Sequence, residues 1–294
     1  MIKVLEMSSH QNKISSLEIR ALYKQYGVLL LRGSKHHPIQ FESLSKIFCD
    51  TFYTVSSRKI SKEFQSDGFS TPAPQQNFYL FSHSEATYSP YPAIPDIGFL
   101  LCTEAPDTQG GETTLVDGIK MLNAFPHELR KRFLNENITY EFLWESQRWK
   151  TQFKVSNEKE LLLLLEQIDN IRYTLNDGNL HMFYNTSAVI FLDTDTYAFS
   201  NAILGHLPSI NHPSYKNKYV YVKNTNHVYW ETGEPFSEKL INQLIDIQDQ
   251  FKYKHKWEKN DILIFNNLQF MHGREMTDNT CTRTLFSRFG YFSI

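Results

Sequence analysis

From Asn77 onward the chain divides into short apolar stretches bounded by turn-forming residues, and this most limits what it can fold into. The run Ile262-Leu263-Ile264-Phe265, between Asp261 and Asn266-Asn267, is apolar at successive positions. An extended segment of that kind buries both faces and is too short for an ordinary helix. The same reading predicts strands over Phe78–Glu85, Gly98–Glu104, Thr113–Val116, Tyr219–Lys223, Ile262–Asn266 and Arg283–Phe292. Helices are expected over Glu128–Asn135, Glu158–Leu165 and Glu238–Gln250. Many short strands with few helices imply a mainly β chain with a sandwich or jelly-roll core and decorating helices.

The N-terminal part has a different character. Leu17, Ile19, Leu22 and Tyr23 recur at helical spacing, and Gly27 closes that helix before the strand Val28–Leu31. Leu44, Ile47, Phe48 and Phe52 predict a second helix over Phe41–Phe52, and Gln65–Gln76 reads as an exposed loop. Trp144–Asn157 mixes aromatic and charged residues without a period and is expected to be an insertion covering a site. No repeat or linker divides the chain, so residues 1–294 are read as one domain.

Composition excludes several function classes. A net charge of −2 gives no basic surface for nucleic acid. The densest basic run, Lys252, Lys254, His255 and Lys256, reads as a solvated helix end or strand approach. Three scattered cysteines suit a reducing compartment, Met1–Lys13 lacks a secretory apolar core, and no apolar run is long enough to span a membrane. A cytoplasmic protein is expected.

In the extended segment Phe81–Glu85, His83 and Glu85 project from one face. An imidazole and a carboxylate so placed can chelate a divalent metal, although such a triplet also arises by chance. His272 is the best third ligand, because it follows a buried strand and a polar turn that set it at a sheet rim. His127, His181, His206, His212 and His227 read as surface or hydrogen-bonded histidines. Two histidines and one carboxylate leave adjacent positions open, as in non-haem iron(II) oxygenases. A keto acid and O2 would fill those positions. A distal carboxylate needs a fixed cation, and Arg283 opens a strand on the parity of Leu285 and Ser287. Arg288 has the opposite parity and is expected to face outward. Tyr79 and Phe81 share the parity of His83 and Glu85, so they are candidates to line a substrate pocket. Arg148 and Trp149, in the expected lid, are candidates to meet a carboxylate-bearing substrate.

Taken together, these residues resemble the TauD/TfdA-type (taurine-dioxygenase-like) iron and 2-oxoglutarate oxygenases, nearest the clavaminate synthase-like branch. The matched elements are His83-Ser84-Glu85 with Tyr88-Ser89-Pro90, Gly110-Gly111-Glu112-Thr113 with Asp117, Trp149 with Phe153, and Asn201. Asp261-Ile262-Leu263, Asn267, His272-Gly273-Arg274 and Arg283 complete the ordered set. The resemblance implies a double-stranded β-helix, with His83, Glu85 and His272 as catalytic metal ligands. It also implies that Thr113 and Arg283 bind 2-oxoglutarate. The implied reaction couples decarboxylation of 2-oxoglutarate to oxidation of an aliphatic carbon, with desaturation, epoxidation or cyclisation as alternatives to hydroxylation. The substrate class is a small amino acid or its derivative, free or tethered to a carrier protein, in natural-product biosynthesis. Two departures are visible. Asn266 replaces the family's usual aspartate, and Ser82 replaces a larger residue before the first histidine. Glu85 fills the coordination position that related halogenases leave to chloride. A zinc hydrolase would use similar ligands but leaves Thr113 and Arg283 without a role. A non-catalytic small-ligand-binding sandwich would not need the full ligand set.

Overall fold

The computed structural model describes residues 2–6, 14–33, 38–54, 69–72, 78–207, 210–215, 226–278 and 281–293. The first helix, α1 (Ser16–Tyr26), begins on a capping box in which Ser15 and Glu18 exchange hydrogen bonds, and it ends at Gly27. It leads into β2 (Val28–Arg32), which pairs in parallel with β1 (Lys3–Glu6). Beside β2 lie β15 (Ile262–Asn266), β6 (Ile97–Glu104), β17 (Thr284–Phe292) and β3 (Cys49–Tyr53), with β4 (Thr71–Pro72) also on β17. Opposite this large sheet stands a small one in the order β14 (Lys252–His255), β7 (Thr113–Asp117), β16 (Phe270–Arg274), β5 (Leu80–His83). The two sheets form the jelly-roll core.

Alternation along the central strands explains the layering. Leu29, Leu31, Phe99, Leu101, Ile262 and Ile264 pack outward against Ile19 and Tyr23 of α1 and against Phe41 and Phe48. Val28, Leu30, Leu100, Leu263 and Phe265 face inward, where Leu115 and Phe270 of the small sheet meet them. Each such fully buried aliphatic side chain stabilises by roughly 1.5–3 kcal/mol. A third sheet, β13 (Asn226–Trp230), β8 (Ile138–Trp144), β10 (Asn179–Thr186), β9 (Ile171–Asn176), and α7 (Glu238–Phe251) enclose the largest apolar cluster.

Several expectations need correction. The helix predicted over Phe41–Phe52 is α2 (Pro38–Ser45), and Cys49–Tyr53 is instead β3. Pairing of Phe52 and Tyr53 with Gly290 and Phe289 on β17 overrides the local helical spacing. Within the expected loop, Thr71–Pro72 forms β4, while residues 65–68 and 73–76 lie outside the described residues, as does Tyr219–Lys223. The basic run is not simply solvated. The Lys252 side chain is buried against Asp249, and His255 is buried in β14. Trp144–Asn157 contains the end of β8 and α5 (Ser146–Phe153), with Trp149 and Phe153 in the core. Among the described residues no helix is long and apolar enough to cross a membrane.

Candidate metal centre and cosubstrate pocket

His272 lies within β16, directly opposite His83 of β5 in the antiparallel register. Their rings stand 4.4 Å apart between centroids. Gly273 permits this closeness, since a Cβ there would lie 2.5 Å from the Leu80 carbonyl oxygen. Glu85 follows in a turn. Its N–H donates to Asn267 Oδ1 at 2.8 Å, while Asn267 Nδ2 donates to the carbonyl oxygens of Glu85 and Pro95 at 3.2 and 2.8 Å. Ala86 then adopts φ 66°, a left-handed conformation that is unfavourable for a residue with a Cβ. The preceding Ser84 is tied by its N–H to Asn201 O at 3.0 Å and by its hydroxyl to Ser200 at 2.7 Å.

Ligand atoms of His83, Glu85 and His272 lie within 4.8 Å of one another. His272 Nε2 is 3.9 Å from Glu85 Oε2. His83 Nδ1 is 3.1 Å from Phe81 O, and a carbonyl only accepts, so Nδ1 carries the hydrogen. The lone pair is therefore on Nε2, the tautomer suited to a metal. This donor set fits one divalent ion of the class that prefers imidazole and carboxylate.

The ligands open into a pocket between the two sheets. Leu80, Thr113, Gly273 and Arg274 line the small-sheet side, and Leu100, Arg283, Leu285, Ser287 and Phe289 the other. Arg283, Leu285 and Ser287 thus share the pocket face. Arg283 Nη1 donates to Gly111 O, and Gly111 has φ 74°, where a Cβ would also approach Thr277 Cγ2 at 2.8 Å. Burial pulls the Arg283 guanidinium down to about 10, and burial together with the Arg283 charge does the same to Arg274. Both remain cationic at neutral pH, so the pocket is electrostatically prepared for an anion.

The substrate candidates do not converge on this pocket. The register between β5 and β16 shifts between His83 and Leu80, so Leu80, not Phe81, shares the pocket with His83. Tyr79 and Phe81 turn into the large apolar cluster, against each other and Tyr215. Trp149 is fully buried and its indole donates to Gly178 O at 2.9 Å. Arg148 lies over the Trp144 ring at 5.3 Å. Arg288 is indeed off the pocket face but does not reach solvent. It is buried over Phe52 at 3.8 Å and donates to Ser70.

One nearby feature escapes local patterns. His206 is buried, packs tilted against Tyr88 with ring centroids 4.8 Å apart, and makes a 2.9 Å contact through Nδ1 with Ala202 O. Burial is the main cause that pushes its imidazole down to about 4, with His83 and Arg148 contributing in the same direction. Its position was unreadable because the turn at Ile203–Gly205 carries no strand or helix period. The substitution at Asn266 is local. Its Oδ1 accepts from the N–H groups of Leu268 and Gln269, as an aspartate would. Ser82 is buried, and its backbone nitrogen is 3.0 Å from where a Gly273 Cβ would sit.

Residues 4–288 match the family model of the taurine catabolism dioxygenase TauD, TfdA family. A taurine dioxygenase from Burkholderia xenovorans is similar in structure, with TM-score 0.58 and 13% identity over 99% of this chain and 84% of that one. PvcB from Pseudomonas aeruginosa gives TM-score 0.57 and 15% identity over 98% and 84%. A second PvcB structure, of an Fe, alpha-ketoglutarate dependent oxygenase from an isonitrile synthetic pathway, gives 0.56 and 14% over 98% and 85%. At these identities the likeness establishes the fold. No curated protein matches the chain.

Proposed function

Because the chain belongs to the taurine catabolism dioxygenase TauD, TfdA family and so uses iron(II), 2-oxoglutarate and O2, we propose that it hydroxylates an aliphatic carbon of a small amino acid or amino-acid-derived metabolite. The observation that carries this reading is the convergence of His83, Glu85 and His272 in the lining of a pocket shared with Thr113 and Arg283.

In this reading His83 Nε2, the Glu85 carboxylate and His272 hold the metal. Iron(II) with 2-oxoglutarate and O2 supplies the oxidising power, the keto acid leaving as succinate and carbon dioxide. Arg283 takes the distal carboxylate of the keto acid, and Thr113 donates its hydroxyl hydrogen to the same cosubstrate. Asn267 fixes the backbone on both sides of the Glu85 side chain, so the carboxylate keeps its direction. Leu100, Leu285 and Phe289 line the pocket with apolar surface that excludes water. With Glu85 filling its coordination position, oxygen insertion is favoured over halide transfer. The amino-acid class rests on the clavaminate synthase-like resemblance. The metabolite is taken free or on a carrier.

The test is anaerobic titration with iron(II), followed by succinate release over a panel of amino acids and their derivatives. Wild type should bind one iron per chain, and His83→Ala or His272→Ala should abolish tight binding. Retained affinity in both variants, or succinate release triggered only by nucleic acid or sulfonates, would refute the assignment.

A further inference from the structure

Thr113 is held from behind. Trp257 Nε1 donates to Thr113 Oγ1 at 3.0 Å, across 144 residues of chain. Both side chains are buried, each 3% exposed. We propose that Trp257 is a positioning residue for the keto-acid cosubstrate, aiming the Thr113 hydroxyl hydrogen into the pocket by occupying the oxygen from the other side. This role rests on the 2-oxoglutarate reading above and adds a residue that touches neither metal nor cosubstrate.

A hydroxyl has one hydrogen and two lone pairs, whereas an indole N–H can only donate. With Trp257 as donor, the Thr113 oxygen is the acceptor and its own hydrogen must find another partner. Among the described residues no protein acceptor takes that hydrogen. The pocket lies on Thr113's open side, with Arg274 and Arg283. Backbone movement cannot redirect the hydroxyl either. Thr113 sits between β14 and β16, opposite His255 on one side and Arg274 on the other.

The indole is itself braced. The His255 ring meets it edge-on, with centroids 4.4 Å apart and planes at 82°. His255 Nε2 lies 3.2 Å from Asp261 Oδ2. Asp261 accepts from Arg32 Nε and Nη2 at 3.0 and 2.7 Å and from the Glu258 N–H at 2.9 Å. His255 and Asp261 are both essentially inaccessible to water. Asp261, held by Arg32 and the Glu258 N–H, thus stands beside the His255 ring that packs edge-on against the indole. An aromatic residue wanted only for bulk would not need its N–H placed on the one hydroxyl in the pocket that the cosubstrate uses.

The experiment is anaerobic titration of the iron(II)-loaded protein with 2-oxoglutarate, read by the metal-to-keto-acid charge-transfer band. Wild type, Trp257→Phe, Thr113→Val and the double variant are compared. Loss of one well-formed hydrogen bond should raise the Kd of Trp257→Phe about 5- to 10-fold, with iron affinity unchanged. In the Thr113→Val background the second change should add almost nothing, because the hydroxyl it would aim is gone. A bracing role without positioning predicts the same weakening in both backgrounds, and that result overturns the proposal. So does an unchanged Kd in Trp257→Phe. If the phenylalanine variant fails to fold, site-specific 3-benzothienylalanine at 257 keeps the bicyclic shape and replaces only the N–H. It should give the same shift and the same dependence on Thr113. Absence of the band in wild type would instead overturn the cosubstrate reading, and Trp257's role with it.

Discussion

Replacing Arg283 by methionine separates the cosubstrate site from the metal centre. Arg283 is 8% exposed, so its charge is largely removed from water before any anion arrives. Removing one partner of a buried, charge-assisted pair costs about 2–5 kcal/mol. Arg274 lines the same pocket and keeps one positive charge there, which favours the lower part of that range. At about 1.4 kcal/mol per tenfold change, the Kd for 2-oxoglutarate should rise about 30- to 100-fold. Iron binding should stay nearly intact, since none of the three metal-binding side chains is altered. A keto acid lacking the distal carboxylate, 2-oxobutyrate, should lose little because it never engages the guanidinium. The assay is anaerobic titration of the charge-transfer band with each keto acid in wild type and variant. Equal weakening for both keto acids would make Arg283 a structural residue acting through its bond to Gly111 O. Unchanged binding of both would move the anchor to Arg274.

Two further changes probe what holds these residues in place. Asn267→Ala removes all three bonds around Glu85 and Pro95 and should weaken iron binding by about 10- to 100-fold, whereas Asn266→Asp, which keeps the turn acceptor, should leave it unchanged in the same titration. Asp261→Asn should lower the urea-unfolding free energy at pH 7 by about 3 kcal/mol, since the Arg32 guanidinium loses the buried carboxylate it pairs with. Burial alone would raise the Asp261 carboxyl, but the His255, Arg32 and Glu258 contacts outweigh it and hold the group below its ordinary value. Its stabilisation is therefore complete above the unfolded carboxyl range and disappears as pH falls through the folded value. The difference between wild type and Asp261→Asn should be constant near neutrality and shrink below about pH 4; a gap that persists undiminished at pH 3 would refute this sign.

What the sequence made legible was whatever depends on neighbours along the chain. Ser15, Glu18 and Gly27 mark α1 because caps are local, and the strand period puts Leu285 and Ser287 of β17 on the pocket face, which Arg283 shares from just before the strand although the ladder with β6 shifts between Thr284 and Leu285. The same period misassigned Tyr79 and Phe81, because the register irregularity in β5 depends on how that strand meets β16, which no local pattern encodes. Cys49–Tyr53 became a strand for a similar reason: the edge of β17 offers it a ladder that outweighs helical spacing. The metal ligands could be found as residue types, but their juxtaposition depends on the opposition of His83 and His272 and on the glycine that allows it. Trp257 shows the limit most sharply. No local pattern marks its indole, and only the pairing of β14 with β7 brings its N–H to Thr113. Ligand identity is thus written locally, while ligand orientation is written in strand pairing. The variants that best test this site are therefore those that spare the ligands and disturb only the hydrogen bonds aiming them.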